Sequence, residues 1–176
     1  METSELANYV RTVPDFPQPG ISFKDITTLL KNPEAFRVAI DRMSEPFVGI
    51  SVDIVVGMES RGFIFAAPIA YSLGAGLVPV RKVGKLPAES IRVSYALEYG
   101  QNILEAHRDA IVPGQKVLIV DDLLATGGTV LATIDLVRRL GGHVVGLAFL
   151  IELLYLKGRD TLVDPPLIVS LIQYGD

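Results

Sequence analysis

The chain contains no cysteine, and only two of its 176 residues are histidines. The absence of cysteine excludes disulfides, thiolate metal sites and cysteine nucleophiles. A histidine-based metal site or catalytic triad would need both His107 and His143, and no Ser-His-Asp pattern surrounds either of them. The sequence therefore offers neither a cysteine-based site nor the pattern of a histidine triad.

The sequence also lacks a basic excess and a long hydrophobic run. Its 16 Lys and Arg residues are outnumbered by 20 Asp and Glu residues, for a net charge of −4, which argues against binding to a nucleic-acid backbone. The longest apolar stretch, around residues 144–151, is far shorter than the roughly twenty residues that a membrane span requires. The first ten residues, METSELANYV, lack the basic and apolar regions of a signal peptide. We therefore expect a cytoplasmic protein without a nucleic-acid or membrane partner.

The hydrophobic pattern predicts one α/β domain. A chain of 176 residues, of which 49% are apolar, can bury a sizeable core, and we expect residues 1–176 to form a single unit. Strands are predicted at 53–57, 77–80, 117–120 and 144–150, and helices at 34–47, 62–73 and 128–140. This alternation is typical of a twisted parallel sheet flanked by helices. Two segments depart from it, a hairpin or flap at 93–104 and a final strand at 167–172.

The most informative segment is VLIVDDLLATGGT, residues 117–129. Its apolar start predicts a buried strand that ends in Asp121 and Asp122, at the edge where open parallel sheets bind ligands. Two glycines then allow a close backbone approach, and the N–H groups at the start of the next helix favour an anion. The pattern indicates a ribose phosphate, with the carboxylates on the ribose hydroxyls. The alternative is an ordinary strand-to-helix connection with one Asp as a helix cap.

Two further groups suit a small polyanion. The segment from Val55 to Gly62 repeats the order of strand, polar turn and helix, and its turn carries Arg61. A second anion site follows from that arrangement; the alternative is a helix cap followed by a surface arginine. Arg81, Lys82 and Lys85 lie within five positions, enough charge for pyrophosphate and too little for a duplex.

Five segments together resemble a known enzyme family. Residues 117–129 resemble the phosphoribosyl-pyrophosphate signature of the type I phosphoribosyltransferases, and four more segments resemble the adenine-specific members in the same order: ISFKDITTLL from Ile21, ESRGF from Glu59, RKVGKLP from Arg81 and SYALEYG from Ser94. The resemblance implies a type I phosphoribosyltransferase fold with an N-terminal base-binding hood at 1–33 and a mobile flap at 81–105. It also implies transfer of the 5-phosphoribosyl group from phosphoribosyl pyrophosphate to adenine, which yields AMP and pyrophosphate in purine salvage.

The resemblance further implies a role for individual positions. The 5-phosphate site is Ala125, Thr126, Gly127, Gly128 and Thr129, and the ribose site is Asp121 and Asp122. Pyrophosphate binding is assigned to Glu59, Ser60, Arg61, Arg81, Lys82 and Lys85, with a non-proline cis peptide in the turn at Glu59. The catalytic residues are Glu98, Arg61 and Lys85. Glu98 would handle the proton of the base nitrogen beside Tyr99 on the flap; alternatively, it is a solvated carboxylate with Tyr99 packed against it.

Adenine recognition is assigned to Ser22, Phe23 and Lys24. Phe23 would stack on the base while main-chain groups of its two neighbours read the base edge, although a Phe in this pattern is more often a core residue. Many relatives carry Arg in place of Lys24. The resemblance also implies a homodimer and the cofactor Mg²⁺, which would be held mainly by substrate oxygens, with Asp121 or Asp122 contributing through water.

Two other functions are compatible with part of this pattern. A non-catalytic regulator could keep the fold and bind phosphoribosyl pyrophosphate or purines as a signal. An enzyme for hypoxanthine or xanthine would differ in its base pocket, because 6-oxopurines reverse the donor and acceptor pattern of adenine.

Overall fold

The computed structural model describes residues 1–96 and 101–175. Its strands are β1 (Arg11–Val13), β2 (Phe23–Asp25), β3 (Ile54–Met58), β4 (Gly76–Lys82), β5 (Ser90–Ala96), β6 (Gln101–His107), β7 (Lys116–Leu124), β8 (His143–Leu153) and β9 (Leu167–Tyr174). Within the described residues, seven of them form one sheet in the order β5-β6-β4-β3-β7-β8-β9. Strands β4, β3, β7, β8 and β9 run parallel, and the β5–β6 hairpin joins the edge of β4 in antiparallel pairing. The predicted α/β sheet is thus confirmed, with an antiparallel hairpin added.

The helices lie on both faces of this sheet. They are α1 (Thr27–Leu30), α2 (Pro33–Ser44), α3 (Gly62–Leu73) and α4 (Gly128–Arg139), and short 3₁₀ turns occupy Thr3–Tyr9, Glu45–Phe47, Leu154–Leu156 and Gly158–Thr161. Helix α2 begins where the Asn32 side chain accepts hydrogen bonds from the N–H groups of Glu34 at 3.1 Å and Ala35 at 2.9 Å. Its predicted extension to residue 47 is wrong for the last turn, which is 3₁₀, because Pro46 supplies no N–H for an α-helical hydrogen bond.

Alternating side chains of the central strands pack into two apolar clusters, one on each face of the sheet. Val55 and Leu118 pack with α2 and α3, whereas Val56 and Ile119 pack with α4 and the hairpin. All four side chains are fully buried, as expected for parallel strands covered on both faces. This core fixes the carboxyl ends of β3 and β7 side by side.

The N-terminal segment belongs to the same core. Strands β1 and β2 pair with Val13 opposite Phe23, and Leu6, Ile26 and Leu29 are buried in the cluster that holds α2 and α3. These three side chains therefore anchor the segment 1–33 to the core, while residues 14–22 stay exposed.

Most predicted elements match within a few residues. The predicted helix 62–73 coincides with α3, and the predicted strand 117–120 extends to Leu124, because Asp121 remains paired with Phe149 of β8. The predicted hairpin 93–104 corresponds to β5 and β6, and its residues 97–100 lie outside the described part of the chain. Among the described residues, no helix combines the length and the apolar character needed to cross a bilayer.

Candidate active site

The candidate site lies where the strand order of the sheet reverses direction. Strands β3 and β7 are parallel neighbours, and the chain leaves them on opposite sides, toward β4 and β8. The crevice at the carboxyl ends of such a strand pair is the usual ligand site of open α/β sheets. A cavity of about 290 Å³ opens there, lined by Glu59, Ser60, Arg61, Lys82, Tyr95, Asn102, Leu104, Asp121, Asp122, Leu123, Ala125 and Thr129. The cavity thus brings together part of each set of residues expected to bind ribose, phosphate and pyrophosphate, and its lining does not include Arg81, Lys85 or residues 126–128.

The two neighbouring carboxylates on β7 form the floor of the cavity. The Asp122 N–H donates to Asp121 Oδ1 at 2.8 Å, and Arg61 Nε lies 3.0 Å from Asp122 Oδ2. That contact lacks hydrogen-bond geometry, so the buried Asp122 Oδ2 has no hydrogen-bond partner among the described residues. Burial raises the pKa of both carboxyls, and the neighbouring charge of Asp122 raises the pKa of Asp121 further. A buried acid pair with an acceptor oxygen that receives no hydrogen bond from the described residues favours a ligand that donates hydrogen bonds or carries positive charge.

The first residue of α3 must be small because the helix starts against this acid pair. A Cβ atom on Gly62 would lie 2.7 Å from Asp121 Oδ1 and 3.0 Å from the Val120 carbonyl oxygen. Glycine therefore allows α3 to begin close enough for the preceding Arg61 to reach Asp122.

The phosphate loop, Ala125–Thr129, leads from β7 into α4. Gly127 has a φ of +86°, and a Cβ atom there would lie 2.7 Å from the Gly158 carbonyl oxygen, so its left-handed backbone and its close packing both favour glycine. Helix α4 begins at the next residue, and the first N–H groups of a helix have no intrahelical acceptor. Such free N–H groups favour an anion, as the sequence predicts for this loop.

The hairpin contacts the phosphate loop from the other side of the cavity. The Tyr95 hydroxyl lies 3.1 Å from Thr129 Oγ1, and Asn102 Nδ2 donates to the same Tyr95 hydroxyl at 3.2 Å. Both strands of the hairpin thereby connect to the start of α4.

The basic cluster is organised by one carboxylate. The Glu59 side chain, 8% exposed, accepts from the Lys85 amine, from Arg81 Nη2 at 3.3 Å and from the Lys82 N–H at 2.9 Å. Burial would raise the pKa of Glu59, but these hydrogen bonds and charges outweigh it and lower the pKa to about 2. The Glu59 N–H donates to the Val80 carbonyl at 2.9 Å, so this main-chain group is engaged within the sheet and is not a free donor for pyrophosphate. The expected cis peptide is present between Glu59 and Ser60.

The base segment meets this turn through Phe23. Its ring, partly exposed, packs edge to face with Phe16 at a centroid distance of 5.1 Å, and the Arg61 guanidinium carbon lies 5.3 Å from its centroid. The Lys24 amine lies 4.1 Å from the centroid of the Tyr174 ring and 3.3 Å from the hydroxyls of Thr12 and Ser22. Phe23 is therefore placed beside the polar turn and not within the core. The structure does not describe Glu98 or Tyr99, which fall within residues 97–100.

Comparison with known proteins identifies the family. The phosphoribosyl transferase domain family matches residues 25–170. An adenine phosphoribosyltransferase of Thermobifida fusca is 62% identical over 156 residues, which are 89% of each chain. The chain belongs to the phosphoribosyltransferases, among the adenine phosphoribosyltransferases.

Solved structures of adenine phosphoribosyltransferases share the whole fold. The Rhodothermus marinus protein superimposes with a TM-score of 0.94 at 53% identity, and 98% of each chain is covered. The Saccharomyces cerevisiae protein, solved in complex with an imino-altritol bisphosphate and adenine, has a TM-score of 0.90 at 40% identity and covers 96% of this chain and 97% of its own. These comparisons confirm the predicted type I phosphoribosyltransferase fold.

Several residues at this phosphoribosyltransferase site were not predicted from sequence. Tyr95 and Asn102 received no role, although Tyr95 lies in the segment from Ser94 that carries the resemblance. No role at the site was predicted for the Gly158–Thr161 turn either. It packs so closely on the phosphate loop that a Cβ atom on Gly158 would overlap the Ala125 carbonyl oxygen, and no periodic pattern in the sequence marks a contact between segments so far apart.

Proposed function

We propose that the protein transfers the 5-phosphoribosyl group of phosphoribosyl pyrophosphate to adenine, with AMP and pyrophosphate as products. The observation that carries the proposal is the single cavity in which Asp121, Asp122, Arg61 and Thr129 meet. Membership among the adenine phosphoribosyltransferases supports adenine as the acceptor, and so does the adenine complex of the yeast relative.

The residues would divide the reaction between them. The N–H groups and hydroxyls of the phosphate loop hold the 5-phosphate, while Asp121 and Asp122 accept hydrogen bonds from the ribose hydroxyls. Displacement at the anomeric carbon develops positive charge on the sugar and negative charge on the leaving group. The carboxylates stabilise the first, and the cationic groups on the pyrophosphate side stabilise the second: Arg61, Arg81, Lys82 and Lys85.

Mg²⁺ is part of the proposal. Within residues 1–96 and 101–175, no cluster of three or more His, Cys, Asp or Glu side chains could form a protein cage for a metal. Asp122 Oδ2, which pairs with Arg61 but has no hydrogen-bond partner among the described residues, nevertheless suits the water shell of a cation that is held mainly by substrate oxygens. When bound there, Mg²⁺ would supply charge neutralisation to pyrophosphate.

The hood, the flap and the proton transfer are proposed on the same basis. Residues 1–33 place Phe23 against Arg61, which supports a base-binding hood. Residues 81–105 reach the phosphate loop through Tyr95, which supports a flap over the cavity. Glu98 on this flap is proposed to handle the proton of the base nitrogen. We also propose a cytoplasmic homodimer, for which the oligomeric state in solution is the direct measurement.

The test is pyrophosphate release from phosphoribosyl pyrophosphate and Mg²⁺, with adenine, guanine, hypoxanthine and xanthine supplied separately. We expect release with adenine alone, and no release in a parallel reaction with EDTA. Release with a 6-oxopurine would overturn the assigned base. Binding of phosphoribosyl pyrophosphate without release would indicate a regulator. The Asp121→Asn, Asp122→Asn double variant serves as the control for contaminating activity.

A further inference from the structure

Glu105 is a buried carboxylate on the hairpin, outside the lining of the candidate active site. Its side chain is 1% exposed and lies on β6 between the buried Leu104 and Ala106. An unpaired charge in such a place would be strongly unfavourable. The groups that surround it must therefore compensate the charge.

The two oxygens of Glu105 accept from different parts of the chain. Oε1 accepts from three consecutive main-chain N–H groups, those of Gly84 at 2.9 Å, Lys85 at 3.1 Å and Leu86 at 3.2 Å. Oε2 accepts from Ser90 Oγ at 3.1 Å and Arg92 Nε at 3.1 Å. Burial alone would raise the pKa of Glu105, and these hydrogen bonds outweigh it and lower the pKa. The side chain is therefore an anion, enclosed by a loop on one side and by β5 on the other.

The same loop presents a cation to the active site. The Lys85 amine pairs with Glu59, and Arg81 Nη1 donates to the Lys85 carbonyl oxygen at 3.1 Å. Glu105 thus binds the Lys85 backbone, while the Lys85 side chain extends to the turn proposed to bind pyrophosphate. Convergent N–H groups form a tight nest around an anion, and this nest leaves the Lys85 backbone little freedom to shift.

We infer that Glu105 is a positioning residue for pyrophosphate, acting through the backbone of Gly84–Leu86 to aim Lys85. The inference rests on the proposed function, since Lys85 matters only if pyrophosphate binds beside it. Glu105 also accepts hydrogen bonds from Ser90 and Arg92 on β5, so the hairpin and the Lys85 backbone share one carboxylate. A carboxylate that only stabilised the fold would leave pyrophosphate affinity unchanged in the folded protein.

The test is Glu105→Gln, which keeps the side-chain size and removes the negative charge. Its carboxamide has one acceptor oxygen, so it cannot satisfy both the loop N–H groups and the donors on β5. We expect the KM for pyrophosphate in the reverse reaction to rise roughly tenfold to a hundredfold, the loss typical of hydrogen bonds to a charged group. The KM for AMP in the same reaction should change less than about twofold, because local effects do not spread to distant contacts. Glu89→Gln is the matched control, because its side chain is 88% exposed and contacts only Arg108 among the ion pairs of the described residues, at 3.6 Å.

A double-variant cycle with Lys85→Ala separates positioning from stability. If Glu105 acts through Lys85, Glu105→Gln will add little to the pyrophosphate KM once Lys85 is absent, because residues that act as a unit are not additive. Independent, multiplicative effects would overturn the inference, and so would a Glu105→Gln variant with a lower melting temperature and an unchanged KM. Should the Gln variant fail to fold, Glu105→Asp keeps the charge, shortens the reach by one methylene and is judged by the same criteria.

Failure of the proposed function gives a different result. In that case the wild type releases no pyrophosphate with any purine. Calorimetric titration of Mg²⁺ and pyrophosphate into the wild type and Glu105→Gln then decides the inference without turnover. Weaker binding by the variant supports the positioning role, and equal binding or no binding by both refutes it.

Discussion

Gly62→Ala tests whether the close approach of α3 to β7 sets the position of the acid pair. A Cβ atom at this position would lie 2.7 Å from Asp121 Oδ1, whereas ordinary contacts begin at 3.4 Å. The carboxylate or the helix must therefore move by about 0.7 Å, and displacements near 1 Å can lower the rate by about a hundredfold. We expect kcat/KM for phosphoribosyl pyrophosphate to fall about 10- to 100-fold.

The same substitution has two opposing effects on stability. Alanine in place of glycine favours a helix interior by about 1 kcal/mol, and favours this first helical position by less, whereas overpacking a filled site costs about 1 to 3 kcal/mol. We therefore expect the free energy of unfolding in urea to stay level or fall by up to about 3 kcal/mol. Ser72→Ala, at an exposed position of the same helix, is the control for helix propensity alone. A Gly62→Ala variant that is more stable than the wild type and retains its kcat/KM would refute the reasoning.

Three further predictions concern charges and hydroxyls of the site. The double variant of Asp121→Asn and Asp122→Asn should lose about 100-fold in turnover. Because the pKa values of both carboxyls are raised in the folded protein, the fold loses stability as the pH rises through those values. The variant lacks these carboxylates, so at pH 8 it should unfold at a urea concentration no lower than that of the wild type. Lower stability together with normal turnover would contradict both expectations. Glu59 has a pKa of about 2 in the folded protein, so its ionised carboxylate stabilises the fold at pH values above the ordinary pKa of glutamate. This stabilisation is lost as the pH falls toward 2. The free energy of unfolding in urea, measured between pH 6 and pH 2, should fall by about 1 to 3 kcal/mol less in Glu59→Gln than in the wild type. The same pH dependence in both proteins would contradict a stabilising role for the Glu59 carboxylate. Tyr95→Phe removes the 3.1 Å contact with Thr129 and should raise the KM for phosphoribosyl pyrophosphate about fivefold. A KM equal to that of the wild type would show that the contact does not support binding.

Local patterns account for what the sequence predicted. The apolar run before Asp121 identifies a buried strand, and the glycines of the phosphate loop identify a turn into a helix, because each signal involves neighbouring residues only. Strand β3, helix α3 and helix α4 were placed within two residues for the same reason. The family resemblance then implied which ligand each turn would hold.

Contacts between distant segments could not be predicted in this way. Glu105 and its three N–H donors are separated by about twenty residues, and a charged residue in a strand pattern is usually read as a solvated one. Gly158 and the phosphate loop meet only because β8 brings the chain back past α4. The Arg61 contact with Phe23 joins the second polar turn to the N-terminal segment, and neither local pattern contains that information.

The packing of Lys24 on Tyr174 has a consequence for the order of folding. Lys24 and Tyr174 are 150 residues apart in the sequence, and Tyr174 closes β9, an edge strand of the sheet among the described residues. Contacts that span most of a chain form late, because a long loop must close first. A nascent chain without β9 would already possess the acid pair and the phosphate loop, yet its base segment would lack this anchor. We therefore expect the proposed base segment to reach its folded position after the acid pair and the phosphate loop, when these two distant segments meet.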